Sequence, residues 1–263
     1  MSLIETSTAE GIARITLNVP PANCYSRQMM TELDAAIIDA RFDASVHAII
    51  VAGAGEKFFC AGADIAMLRG ADPYFKYNFC LHANETITRL EQTPKLVVAA
   101  IDGHCVGGGL EVALAADIRI ARRGSGKCGL PEVKLGVLPG TGGTQRLVRI
   151  VGKAKAIELM ATGETFDFDR AAELGLVNQV WDADDHAAFQ AKVTEWVREL
   201  IPPKSAGRAV GLIKRACQTG AEVGLADGLA LERELQQRLF EGDDAREGLA
   251  AYLEKRPAKF TGC

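Results

Sequence analysis

Apolar and polar positions follow two regimes along the chain. In the first half, short apolar runs of β character recur: ARITL (13–17), HAIIVAG (47–53), KLVVAAIDG (95–103) and DIRIA (117–121). They are too short for typical globular helices and read as strands. Between the first two, SRQMMTELDAAIIDARFD sets Met30, Leu33 and Ile37 at helical spacing. A further helix is predicted from about residue 74 to 91. Strands alternating with helices predict an α/β body. After about residue 150 the strand signal fades. KAKAIELMATG predicts a helix closed by Gly163, and DRAAELG a short one closed by Gly175. LVNQVW (176–181) is the last strand-like run. From about 186 onward the pattern is helical, punctuated by two prolines at 202–203. Near the end, Asp244 stands three residues before Glu247, which predicts a capping-box start. The pattern divides the chain into an α/β body, 1–200, and a helical tail, 201–263. It shows no low-complexity segment and no fixed-period repeat.

Composition narrows the classes. The chain has 263 residues, 48% hydrophobic and 24% charged, enough for a large domain with a sizeable core. A net charge of −4 disfavours nucleic acid or an anionic membrane as the main partner, since both require clustered Lys and Arg. It leaves room for a local basic site facing a phosphorylated ligand. Seven cysteines, at 24, 60, 80, 105, 128, 217 and 263, include no CxxC-type pair. The odd count predicts reduced, buried thiols in a cytosol-like compartment. The start, MSLIETSTAEGIARITL, has no basic segment followed by an apolar one, and no window reaches 18 apolar residues free of charge. A signal peptide and a membrane span are therefore not predicted. The expected location is cytoplasmic, or an organelle matrix if a presequence was removed. The four histidines (47, 82, 104, 186) are scattered and predict no metal site. His104 reads as structural.

The candidate chemistry starts at GGGLEVALAAD (107–117). The dinucleotide pattern GxGxxG fails because Val112 stands where the third glycine belongs. The phosphate-loop pattern GxxxxGK[ST] fails at GSGKC, which has Ala121 in the first place and Cys128 in the last. What fits is a strand, KLVVAAIDG, that turns and starts a helix at the glycines. The first N–H groups of a helix lack internal partners, and glycine lets a ligand approach them closely. Such donors can hold an oxyanion, with Glu111 in the first helical turn beside it. On its own, the stretch is more commonly a glycine-rich turn before a helix, with Glu111 favoured there by the dipole. Two further segments add weight. KFFCAGADIAML (57–68) contains a small-residue turn that can supply a second backbone donor. GLPEVKLGVLPGTGGTQRL (129–147) carries Glu132 after a proline, then a second glycine-rich turn.

With these segments on the page, the chain resembles the crotonase superfamily, specifically the enoyl-CoA hydratases. The matching pieces are FFCAGADI, DGHCVGGGLEVALAADIRIA, GLPEVKLGVLPGTGGTQRL, GKAKAIELMATGETFDFDRAAELGLVNQV and EGDDAREGLAAYLEKRPAKF, in the family's order over nearly the whole chain. The resemblance implies an α/β fold, a crotonase (ClpP-like) spiral of ββα units, with a C-terminal helical oligomerisation region. It implies a lyase that adds water reversibly to a trans-2-enoyl-CoA in fatty acid metabolism. It places the oxyanion hole at the N–H groups of Ala63 and Gly108, and the catalytic carboxylates at Glu111 and Glu132. Each backbone donor contributes roughly 3–4 kcal/mol to such a transition state. Glu132 is expected to deliver the proton at Cα and Glu111 to help activate the water. Coenzyme A is expected as part of the substrate, with no further cofactor. Lys57, Ala61, Asp64 and Ile65, with Tyr252 and Lys255 from a neighbouring subunit, are the expected CoA contacts; as bare sequence the lysines read as solvated. Homotrimers, usually paired into hexamers, are the expected assembly.

The alternative within the superfamily is a 3,2-enoyl-CoA isomerase or a related reaction on a specialised acyl-CoA; keeping both glutamates favours the hydratase. An RNA-binding homologue is disfavoured by the acidic chain. Two departures stand out. The stretch IRIARRGSGKC before GLPE is about one residue longer than the family pattern. PANCYSRQMM has Cys24 and Tyr25 where relatives carry small or aliphatic residues, so Tyr25 either packs or alters the pocket. Residues 67–80, with Tyr74, Phe75, Tyr77 and Phe79, either line the far end of the acyl pocket or form an ordinary apolar helix face.

Overall fold

The computed structural model describes residues 2–262. It opens with β1 (Ile4–Ala9) and β2 (Ile12–Leu17), then α1 (Arg27–Phe42), β3 (Ala48–Gly53) and β4 (Phe58–Cys60). Two helices follow, α2 (Ile65–Arg69) and α3 (Pro73–Gln92), before β5 (Leu96–Ile101), β6 (His104–Val106) and α4 (Gly108–Leu114). Next come β7 (Ile118–Arg122), β8 (Cys128–Gly129) and a 3-10 helix, Glu132–Leu135. The body closes with α5 (Gly143–Val151), α6 (Lys153–Thr162), α7 (Phe168–Glu173) and β9 (Gln179–Trp181). Four helices end the chain: α8 (His186–Arg198), α9 (Gly207–Gly220), α10 (Leu225–Phe240) and α11 (Asp243–Glu254).

A six-stranded sheet in the order β1-β2-β3-β5-β7-β9 forms the spine, parallel except for the β1–β2 pair. The apolar runs are continuous because both faces of the central strands are buried. In β3, Ile49 and Val51 face one core with Leu33 and Ile37 of α1 and Ile87 and Leu90 of α3. Ala48, Ile50 and Ala52 face the other core with Phe189, Val193 and Val197 of α8. A second, parallel sheet of β4-β6-β8 lies beside the first. Three of the spine strands pass into a short strand of the small sheet before the chain turns to helix: β3 to β4, β5 to β6, β7 to β8. These are ββα units of unequal length, which is why no fixed period is visible in the sequence.

The tail docks unevenly. In α9 the buried Lys214 pairs with Asp117 at 2.9 Å and donates to the Lys95 carbonyl at 3.1 Å. Helices α10 and α11 expose Leu225, Phe240, Leu249, Tyr252 and Leu253. The capping box is not formed. Helix α11 starts at Asp243 after Gly242, with no side-chain cap, so Asp244 lies inside the helix. Its carboxylate instead accepts from the Thr261 and Gly262 amides, at 2.7 and 2.9 Å, and ties down the chain end. Glu247 binds Arg256 and the Lys259 amide. The six described cysteines are unpaired. Cys60, Cys105 and Cys128 are buried, but Cys24 and Cys80 are half-buried and Cys217 is exposed on α9, which corrects the expectation that all are buried. Cys263 lies outside the described residues.

Candidate active site

Each strand of the small sheet ends in a turn, and the three turns meet at one pocket. Its walls include Ala61, Gly62 and Ala63 after β4, Gly107, Gly108 and Glu111 after β6, and Pro131 and Glu132 after β8. Leu68 of α2 and Lys76 and Phe79 of α3 close one side, with Tyr25 and Thr141 on another.

The three glycines have three separate reasons. Gly107, at φ +57° and ψ −134°, holds a backbone conformation that residues with a Cβ rarely adopt. A Cβ on Gly108 would fall 1.9 Å from the Tyr25 hydroxyl oxygen, so the tyrosine ring occupies that volume. A Cβ on Gly109 would fall 2.0 Å from the Cys60 carbonyl, so α4 is pressed against the end of β4. Absence of a side chain at Gly108 therefore serves a protein neighbour, the Tyr25 ring, as well as ligand approach.

Among the described residues, the N–H groups of Ala63 and Gly108 donate to no backbone acceptor. The bridge beside Ala63 uses the neighbouring groups instead: Tyr25 donates to the Gly62 carbonyl at 2.9 Å, and Asp64 donates to the Tyr25 carbonyl at 3.0 Å. A Cβ on Gly62, itself at φ +95°, would fall 2.9 Å from the Gly108 nitrogen, so the two donor-bearing turns are in contact.

The carboxylates are held differently. Glu111 is 2% exposed, and its Oε1 accepts from the amides of Thr141 and Gly143 at 2.8 and 2.7 Å. Burial raises its pKa; those two amides, the Thr141 hydroxyl and Arg146 pull the other way. Glu132 sits at the start of the 3-10 helix, its Oε1 3.1 Å from where a Gly107 Cβ would be. Its Oε2 is buried with no hydrogen-bond partner. Burial, with the charge of Glu111 adding to it, pushes the Glu132 pKa up to about 7, while Lys76 opposes the shift. One carboxylate is thus braced by donors and the other is short of them.

This difference has a stability consequence. A pKa of about 7 lies above the ordinary 4.5, so between those values the folded state holds a proton at Glu132 that the unfolded chain has lost. The contribution is fully present below about 4.5 and is lost as pH rises through about 7. Glu132→Gln cannot ionise. Its melting temperature relative to the parent is expected to rise from pH 5 to pH 8, read by thermal unfolding at both values. A constant difference would contradict an elevated Glu132 pKa.

Of the other sequence-predicted residues, Ala61 and Ile65 line the pocket. The Ala61 N–H is engaged by the Ala22 carbonyl at 3.0 Å. Asp64 is outside the lining; its side chain caps α2 through the Ala66 and Met67 amides. Lys57 is exposed, its Nζ 5.9 Å from the centre of the Phe58 ring. Tyr252 and Lys255 lie at the end of α11, away from this pocket, with Tyr252 83% exposed. His104 accepts from the Lys127 amide and packs on Phe58, consistent with a structural role. On α3, Phe79 lines the pocket, whereas Tyr74 and Phe75 line a neighbouring cavity and Tyr77 is exposed. Thr141 was not singled out in the sequence; its signal was its place in PGTGG, opposite the glutamates.

The enoyl-CoA hydratase/isomerase family model matches residues 7–263. The chain belongs to that family. Family membership makes it an enzyme of the hydratase/isomerase class with the crotonase fold. A short-chain-enoyl-CoA hydratase of Clostridium acetobutylicum is 36% identical, over 93% of this chain and 92% of the relative. An enoyl-CoA isomerase/hydratase of Mycosarcoma maydis is 37% identical, over 97% and 95%. The crystal structure of an enoyl-CoA hydratase from Geobacillus kaustophilus superposes with a TM-score of 0.95 at 44% identity, covering all of this chain and 98% of the other. No described helix is long and apolar enough to cross a membrane.

Proposed function

We propose that this chain adds water reversibly to a trans-2-enoyl-CoA, giving a 3-hydroxyacyl-CoA. The observation that carries the reading is the unequal pair of carboxylates on one pocket: Glu111 braced by two amides, Glu132 poised near neutrality. Adding water across a conjugated thioester builds negative charge on the thioester oxygen. The unengaged N–H groups of Ala63 and Gly108 are the donors for that charge. Glu111 takes a proton from water as its oxygen bonds to Cβ, and Glu132 gives its proton to Cα. The reaction moves protons only, so the proposal uses no cofactor beyond the CoA carried by the substrate.

The 3,2-isomerase reading is favoured by the same Glu132, which near pH 7 can both take and return a proton. An acyl-CoA panel separates them. Hydration consumes the conjugated enoyl-thioester absorbance and places one solvent deuterium at Cα with net gain of water. Isomerisation keeps the composition and moves the double bond. No loss of a 2-enoyl-CoA of any length from C4 upward overturns the hydratase reading.

The proposal extends to assembly. The exposed apolar residues of α10 and α11 support pairing of copies through the tail into trimers or paired trimers. In that arrangement Tyr252 and Lys255 approach the CoA of a neighbouring copy, and Lys57 with the Asp64 and Ile65 turn approaches the CoA of its own. Sedimentation at micromolar protein tests it; a monomer counts against it.

A further inference from the structure

Tyr25 is a buried titratable group in the pocket wall that the proposed reaction leaves without a role. It is 2% exposed, and its ring packs at a centroid distance of 6.0 Å from Phe79. Its backbone is clamped on both sides of Ala63, so the side chain is delivered from the segment paired with the turn that carries a proposed oxyanion donor. The hydroxyl oxygen stands 3.0 Å from Thr141 Oγ1. Thr141 is 3% exposed, and its amide donates to Glu111 Oε1 at 2.8 Å. A leucine or phenylalanine would fill the same volume without placing a hydroxyl in an apolar wall, so the oxygen itself calls for an account.

We propose that Tyr25 is a positioning residue for Glu111, its hydroxyl bonded to Thr141 Oγ1 and thereby fixing the Thr141 amide that donates to the Glu111 carboxylate. This rests on the reading above in which Glu111 activates water. An ionised carboxylate only accepts, so Glu111 relies on the Thr141 and Gly143 amides, and holding Thr141 in place keeps the first of them aimed at Oε1. Burial raises the Tyr25 pKa well above its ordinary value, so the phenol keeps its proton. The Gly143 and Thr141 amides favour the charged form of Glu111. The other titratable groups around this chain of hydroxyls are Glu132 of the 3-10 helix, Lys76 and Cys80 of α3, Arg146 of α5 and Cys60 of β4. Exchanging tyrosine for phenylalanine changes none of them.

Tyr25→Phe removes one oxygen and keeps the ring. Steady-state hydration is expected to lose about tenfold in kcat with KM within about twofold, the split of an interaction that serves the reaction and not ground-state binding. The acid limb of the kcat profile is expected to move to higher pH, because Glu111 loses support for its charged form. Thr141→Val is expected to reproduce both changes, and Thr141→Ser to restore most of the loss. Because the two hydroxyls act in series, Tyr25→Phe combined with Thr141→Val is expected to fall no further than the worse single variant. A second readout needs no turnover. The Glu111 carboxylate, assigned by Glu111→Gln, is titrated by difference infrared spectroscopy in ligand-free protein and is expected to protonate at higher pH in Tyr25→Phe. If the parent hydrates no 2-enoyl-CoA, the hydratase reading fails while this titration still decides the role of Tyr25. An unchanged Glu111 titration in Tyr25→Phe, or additive losses in the double variant, overturns the proposal.

Discussion

Glu132→Gln is expected to lower kcat for hydration by about 10²–10⁴-fold, the range in which a positioned proton donor contributes. The amide keeps the shape of the side chain and cannot deliver a proton to Cα. The pH dependence follows from the environment already described. With a pKa of about 7, Glu132 is largely protonated below neutrality and loses its proton above it. Hydration through Glu132 as the acid should therefore decline above about pH 7, and the residual activity of Glu132→Gln should lack that limb. Measuring kcat from pH 5.5 to 9 in both proteins checks the size and the shape together. A residual rate within a few-fold of the parent, still bending near pH 7, would remove Glu132 from the proton path. Glu111→Gln offers the contrast: two amides now face a neutral oxygen at Oε1, so a fold cost is expected beside the loss of rate.

The second large effect is at Gly108. Gly108→Ala places a methyl group 1.9 Å from the Tyr25 hydroxyl oxygen and 2.6 Å from two ring carbons. The ring is fully buried against Phe79 and cannot swing into solvent. Overpacking of this kind costs about 1–3 kcal/mol. Displacing the Gly108 N–H from its position in the pocket is expected to cost a further ~10²–10³-fold in kcat, the loss typical of one oxyanion donor. The cause is separable by a double-variant cycle. In a Tyr25→Ala background the destabilisation by Gly108→Ala should shrink, giving a coupling of about 1–3 kcal/mol in denaturant unfolding. Gly109→Ala should show no such relief, because its methyl group meets the Cys60 carbonyl and no side-chain truncation moves a backbone oxygen. Equal destabilisation by Gly108→Ala with and without the Tyr25 ring would rule out the ring as the reason for glycine there.

Much of this was legible in the sequence, for physical reasons. The spine strands β3 and β5 are apolar on both faces and announced themselves as unbroken runs, while β2 and β7 kept enough apolar positions around Arg14 and Arg119 to read as strands. Helices α1 and α3 bury one stripe each and showed it at helical spacing. Strand β1 could not be read the same way. Its sequence, IETSTA, buries only Ile4, because it is an edge strand paired to β2 with its remaining residues in solvent. Strands β4, β6 and β8 span only two or three residues, too few for any period, yet they aim all three site turns. The turns were found by their chemistry instead, through GGGLE, AGAD and LPE. The capping box failed because spacing alone cannot distinguish a carboxylate that caps its own helix from one that binds a returning chain end, as Asp244 does. Tyr25 drew notice as an odd residue, but its contact with Gly108 joins two segments 83 positions apart that only folding brings together. Both sides of the open question about Tyr25 hold: it packs, and it lines the pocket.

That shared volume between Gly108 and Tyr25 also fixes an order of events for descent within the family. The ring and a methyl group cannot occupy it together, so the two positions are not free to drift independently. A lineage that shortens the side chain at position 25 first passes through a cavity, which a fold tolerates at some cost. A lineage that first gains a side chain at position 108 passes through a clash beside its own reaction centre. The first route is open and the second is barred, so a side chain at position 108 becomes possible only once the residue at position 25 has been shortened.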